Sequence, residues 1–357
     1  MTEPVWREPA PDAGAYIVKI GTPETTMTIR RLTLVPLALA LAAASALASA
    51  CSGPGGERPA AAQLARPTGV VTVAQAKDLL KRWDAGVERA ELAGGTDYGA
   101  VEAGLAARID KANSRLRDML GESVRTSHAA IVKPRFAIPA KGAANPPWFM
   151  ADFARKGEKG WNQLIFQQMS GGWKVVAVSG TTSGARPPVA ARDEHGLATV
   201  PAGGERGGLA ASPQEIVRAH ARVEATLDQD ERARRLFRSD AMPRRLGRAK
   251  LALREKARGQ WTMTRQCRPA SGPYALKTAA GGALVWYGVT SKERFVARPG
   301  AGQLSFTDRP TAAVTHGRRY TKRVTVSSAA FYLAVVPKSG PIRVPSETAG
   351  YLGSTGS

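Results

Sequence analysis

The side chains able to do acid–base, nucleophilic or metal chemistry are few and scattered. His128, His195, His220 and His316 lie far apart, and the cysteines, Cys51 and Cys267, are separated by more than two hundred positions. No zinc-ligand spacing results, so no metal and no cofactor is expected. Neither a GxSxG elbow nor a phosphate-binding P-loop occurs. No catalytic residue is nominated, and the chain reads as a non-enzyme. His220 shares an apolar helical stripe with Ile216, Val217, Val223 and Leu227, which marks a packed histidine rather than a general base. His195, in "DEHG", reads as a turn residue. Cys267 has no intrachain partner once Cys51 is otherwise engaged, and reads as a buried, inert thiol. Asp152, in "FMADF", is the one acid of the first half in an apolar strand setting, sharing a face with Trp148 and Met150. It has two readings: a base in a low-dielectric cone, or, more economically, an outward-facing charge on an edge strand.

Cys51 carries a different chemistry. It follows "LTLVPLALALAAASALASA", nineteen residues without a charge, preceded by Arg30 and Arg31. A basic start, an apolar run and a small-residue end before a cysteine form an export signal. "LASAC" resembles a lipobox, with Ala48 in the usual leucine place, so Cys51 is the expected site of diacylation. The run is Ala-rich, holds Pro36, and is followed by Gly, Pro and Ser, which argues against a plain membrane-spanning helix. Residues 1–26 read as a leader or a mis-called start ahead of Met27, 27–50 as the signal peptide, and 51–70 as a flexible tether. The expected address is the outer face of the cytoplasmic membrane.

Fifty-one Lys and Arg stand against 29 Asp and Glu, a net charge of +22. The excess is concentrated. Residues 232–258 hold eleven basic residues and two acids, and "GRRYTKR" (317–323) forms a second cluster. The bland reading is a solvated helix face. The functional reading is attraction to anionic lipid or cell-wall polymer through Arg234, Arg235, Arg238, Arg244, Arg245, Arg248, Lys250 and Arg254. Phe237 is the only aromatic in that run, so nucleic acid is not expected as a partner.

The elements that must position these residues come in two similar series. "TVAQ" at 72–75 is a capping box, and Ala76, Leu79, Leu80, Trp83 and Val87 fall on one helical stripe behind it. Two shorter helical patterns follow, and strand signals then run from Ile131 to Ile138, Trp148 to Phe153, Asn162 to Met169 and Trp173 to Val178. The plan restarts at "SPQE" (212–215), a second helix start, followed by the basic helices. Strands are predicted over Trp261–Cys267, Tyr274–Thr278, Ala283–Val289 with continuation to Val296, Val324–Val326 and Phe331–Pro337, before a terminal "PIRVPSETAGYL". The fold class is α+β: two similar domains, 71–180 and 212–352, each of helices followed by a curved antiparallel sheet. Residues 181–211 read as a linker and 353–357 as a disordered tail.

The repeated helix-plus-meander plan is similar to a tandem of NTF2-like (cystatin-like) domains. With the lipobox, "VTVAQAKDLLKRW", "GGWKVVAVSG" (171–180), "RDEHGLATV" (192–200) and Tyr351, the layout also resembles a group of actinobacterial lipoproteins with no established activity. That resemblance implies a fold and an address but no catalytic residues. A lipid-anchored, non-catalytic binding or envelope-associated module is expected. The alternatives are a hydrolase or isomerase working in one domain's cone, and an anionic-surface binder through residues 232–258.

Overall fold

A computed structural model describes residues 67–124, 128–181, 186–201 and 206–357. Cys51, the signal segment and the tether lie outside the described residues. Helix α1 (Val73–Leu92) starts where expected: the Thr72 hydroxyl accepts from Gln75 N, and the Gln75 side chain accepts from Thr72 N. Its apolar stripe is buried, with Trp83 edge-on to Phe153 at 6.0 Å. Helix α2 (Gly104–Leu120) follows and ends on Gly121 in the left-handed region.

Strands β1 (Ile131–Ala137), β2 (Trp148–Arg155), β3 (Trp161–Met169) and β4 (Gly172–Thr181) form an antiparallel meander in chain order. The first six residues of β2 are buried on both faces. Phe149, Ala151 and Phe153 share the face that meets α1. Trp148 points the other way and meets Tyr274 of the second half at 5.5 Å, in a T-shaped contact. Asp152 therefore sits on an interior strand, 1% exposed and ion-paired with Arg135, and the edge-charge reading is corrected.

The second half opens with α3 (Pro213–Ala225), capped reciprocally by Ser212 and Glu215. Short α4 (Glu231–Arg234) and α5 (Met242–Ala257) come next. Strands β5 (Trp261–Lys277), β6 (Ala283–Ala297), β7 (Arg323–Val336) and β8 (Arg343–Gly356) make a second four-stranded antiparallel sheet, with α6 (Arg309–Val314) between β6 and β7. Two predicted strands fuse into β5 because it is an edge strand. There Pro269 and Pro273 need not donate to a second neighbour, and register shifts absorb them. The predicted tail is likewise corrected: Gly353 to Gly356 continue β8 against Val324–Ser327.

Pleating sends the second sheet's side chains to two environments. Leu276, Leu284, Trp286, Phe331 and Leu333 join the first half's core, and Ser346 Oγ accepts from Gly180 N at 3.0 Å. Leu105 of α2 seats on β6 at Gly288, where a Cβ would lie 2.5 Å from its methyl. The opposite face, carrying Val285, Tyr287, Val289, Ala330 and Tyr332, packs under α3–α5. The connection is tied to both halves: Ala198 N donates to Ile138 O and Ala191 N to Lys277 O. All three described hydrophobic cores are built within residues 67–357.

Candidate functional site

On the helix-covered face of the second sheet, register assembles polar residues from four strands. Tyr287, Tyr332 and Glu347 are successive cross-strand partners on β6, β7 and β8, and Arg265 on β5 opposes Glu293 on β6. Helix α3 adds His220 and Glu224, one turn apart, and α5 adds Lys250. His220 Nε2 lies 2.7 Å from Glu224 Oε1, and Nδ1 lies 2.7 Å from the Tyr287 hydroxyl. Arg265 bridges Glu224 and Glu293. Lys250 Nζ is 3.0 Å from Glu293 Oε1, with both side chains almost fully buried. Tyr332 Oη donates to Glu224 Oε1 at 2.9 Å and stands 3.2 Å from Glu347 Oε1. A cavity of about 50 Å³ lies among Glu224, Arg265, Glu293, Tyr332 and Glu347, with Asn113 and Leu116 of α2 also lining it.

Charge balance sets the protonation pattern. Burial alone would raise Glu224, yet the Arg265 charge and the hydrogen bonds from His220 and Arg265 outweigh it and hold the carboxyl well below the usual range. Glu224 therefore only accepts, and His220 Nε2 carries a hydrogen toward it. Burial lowers Lys250 to about 8 against the pull of Glu293. Glu224 and Glu293 match Arg265 and Lys250, which leaves Glu347 as the unmatched carboxyl. Burial and the neighbouring Glu224 charge push Glu347 up from 4.5 to about 7. When Glu347 holds its proton it donates to Tyr332, whose hydroxyl then donates to Glu224. The arrangement can exchange one proton near neutrality. Cys267 Sγ faces Glu224 Oε2 at 3.7 Å, and burial raises the thiol to about 12, in keeping with an inert cysteine.

The first half holds the larger cavity, a cleft of about 330 Å³. Leu79, Trp83, Val101, Phe166 and Trp173 give it apolar and aromatic walls, and Arg82 and Lys174 border it. Lys174 also donates to the Gly99 and Ala100 carbonyls. Behind the wall, Trp83 Nε1 donates to Glu102 Oε1 at 3.0 Å, and burial raises the Glu102 carboxyl well above its ordinary value. Elsewhere His128 is held between Asp84 (3.1 Å) and Glu91 (2.9 Å). Those hydrogen bonds, Asp84's foremost, raise the imidazole to about 9.

A family model described as "Domain of unknown function (DUF8094)" matches residues 67–356. The chain belongs to that family. The match runs from just ahead of α1 to the end of β8, so the cleft and the buried network are both family territory. No curated protein and no solved structure matches the chain. Among the described residues, no helix is long and apolar enough to cross a membrane, and no group of His, Cys, Asp and Glu could hold a metal ion.

The basic run is dispersed by folding. Arg235 pairs with Glu231, Arg238 with Asp240, Arg244 and Arg248 with Asp228, and Arg254 with Glu255. Lys250 is 2% exposed, so it leaves the surface-binding set: α5's inward stripe carries it into the network. Arg234 is half-buried and Arg245 is exposed. His220 is buried as expected, in a polar setting, and His195 lies in a turn capped by the Asp193 carboxylate, which accepts from the His195 and Leu197 amides. The sequence reading missed Glu224, Arg265, Glu293, Tyr332 and Glu347. Its one usable signal was Glu224, four residues after His220 on the same stripe.

Proposed function

We propose that this chain is a lipoprotein held by Cys51 at the outer face of the cytoplasmic membrane, with two NTF2-like halves and a non-catalytic binding role. The ligand is a small molecule with an apolar or aromatic body and an anionic group, taken into the first-half cleft. The observation that supports this reading is the cleft itself. Its 330 Å³ falls in the range of small-molecule sites, with aromatic walls and Arg82 and Lys174 at its border. Native mass spectrometry of the protein from its secreting host, beside a titration with the amphipathic anion 1-anilinonaphthalene-8-sulfonate, tests it. A retained small molecule, or dye binding at one site that Trp173→Ala weakens at least tenfold, supports the reading. A bare mass together with dye binding indifferent to Trp173→Ala overturns it.

An acid–base enzyme is the second reading, favoured by Glu347 and Glu224 meeting at the Tyr332 hydroxyl. The 50 Å³ cavity weighs against it, because such a volume accommodates a few waters rather than an organic substrate. A turnover abolished by Glu347→Gln and untouched by Trp173→Ala would favour this second reading over the first.

A further inference from the structure

The three segments that close one end of the second sheet carry a concentration of basic residues with few ion-pair partners among the described residues. Pairing of Trp261 with Ala297, Val296 with Arg323 and Val324 with Gly356 brings the start of β5, the end of β6 and the start of β7 to a single rim. Backbone hydrogen bonds lock the approaches: Arg298 N donates to Gln260 O at 2.8 Å, Ala297 N to Lys322 O at 2.8 Å, and Leu304 and Tyr320 exchange a pair. Residues 256–262, 294–303 and 316–325 contribute Lys256, Arg258, Arg294, Arg298, Arg318, Arg319, Lys322 and Arg323 to this end, and contain no Asp or Glu. All eight are exposed. Arg258 touches Glu255 at 3.4 Å, the one ion pair described for any of them. The run at 232–258, denser in the linear sequence, is threaded by Asp228, Glu231, Asp240, Glu255 and Glu293 once folded.

We infer that this basic rim is a second interaction surface, separate from the cleft, and that its partner is a membrane surface bearing anionic phosphate headgroups. Its Trp, Phe and Tyr residues, Trp261, Phe295 and Tyr320, are at most 3% exposed and turned into a core, so none of these rings is offered for nucleic-acid bases to stack on. None of the eight lines either cavity described above. Basic residues near an anionic bilayer add attraction that salt screens. The rim supplies that attraction whether or not Cys51 is acylated.

The test uses residues 67–357, which contain all the described cores, so that no lipid contributes. Co-sedimentation is measured with vesicles of phosphatidylcholine alone and of phosphatidylcholine with phosphatidylglycerol. The expected result is binding to the anionic vesicles only, lost at high salt. Arg318→Gln/Arg319→Gln/Lys322→Gln/Arg323→Gln should weaken partitioning at least tenfold, at roughly fivefold per cation before screening. Arg234→Gln/Arg235→Gln/Arg238→Gln/Arg245→Gln should change it less than threefold. The substituted positions are exposed or half-buried, and circular dichroism confirms folding of each variant. Equal binding to both vesicle types, loss in the helix-run variant with retention in the rim variant, or binding to soluble poly(glycerol phosphate) as tight as to vesicles would each overturn the inference. None of these outcomes bears on the cleft.

Discussion

Replacing Glu347 by Gln keeps the shape of the side chain and removes its proton exchange, so the variant isolates what ionising this group does to the fold. An acid whose pKa is raised in the folded state binds its proton more tightly there than in the unfolded chain. Its effect on stability is therefore constant below pH 4.5. Stability then declines as pH rises from 4.5 toward 7, where the folded carboxyl ionises, and levels off above. Displacement from 4.5 to about 7 corresponds to about 3 kcal/mol at about 1.4 kcal/mol per pKa unit. The physical source is burial, together with a second carboxylate next to Glu224, which Arg265 and His220 already engage. The wild type should thus lose up to about 3 kcal/mol relative to Glu347→Gln between pH 5 and pH 8, as read by urea unfolding at each pH. At pH 5 the two proteins should lie within about 1 kcal/mol of one another, since the amide replaces a protonated carboxyl. Unfolding curves whose difference stays constant over that range would refute the unmatched-carboxyl argument.

Arg265→Met should destabilise the protein by about 3–5 kcal/mol, because it leaves Glu224 and Glu293 buried without the cation between them; Arg265→Lys should recover little, since one ammonium cannot reproduce the two-sided fork, and calorimetry of both variants checks this. His128 has its folded pKa raised to about 9, so its contribution is complete below pH 6.5 and is lost as pH rises through 9. His128→Gln should therefore cost at most about 3 kcal/mol near pH 6 and little near pH 10, measured by thermal melts at both. Cys51→Ala should release the protein from membranes under alkaline carbonate washing; retention would instead point to an uncleaved helix.

Local structure was legible wherever one segment decides its own conformation. The Thr72–Gln75 and Ser212–Glu215 boxes marked two helix starts to the residue, and the Trp83 and His220 stripes named the buried faces. Proline signals misled at β5, because a break expected from Pro269 and Pro273 becomes a register shift on an edge strand. Gly353 to Gly356 looked like a tail because small residues carry no apolar alternation, yet β7 supplies a partner for every one of them. The network was illegible for a different reason. Its members come from α3, α5, β5, β6, β7 and β8, and each is ordinary in its own neighbourhood. Linear charge density misled likewise, since it counted Lys250 and Arg248 as free while their acids, Glu293 and Asp228, lie outside the run.

One strand shows how the buried network and the basic rim arise together. Lys292-Glu293-Arg294 on β6 reads linearly as a self-neutralising surface stretch. Pleating separates the three: Glu293 turns inward with Val289, Ser291 and Phe295, and Lys292 and Arg294 turn outward. The inward carboxylate meets Arg265 and Lys250 and is no longer available to surface cations. Glu224 is withdrawn in the same way on α3, and Glu347 is half-buried on β8. Acids that would have neutralised the surface are thus drawn inward, and the cations at the sheet end, Arg258 apart, stand without ion-pair partners among the described residues. A register slip of one residue on β6 would invert this sorting, burying Lys292 and Arg294 against the helices and exposing Glu293. The inward ion pairs therefore oppose register error in the second sheet, and the outward charge at its rim follows from the same alternation.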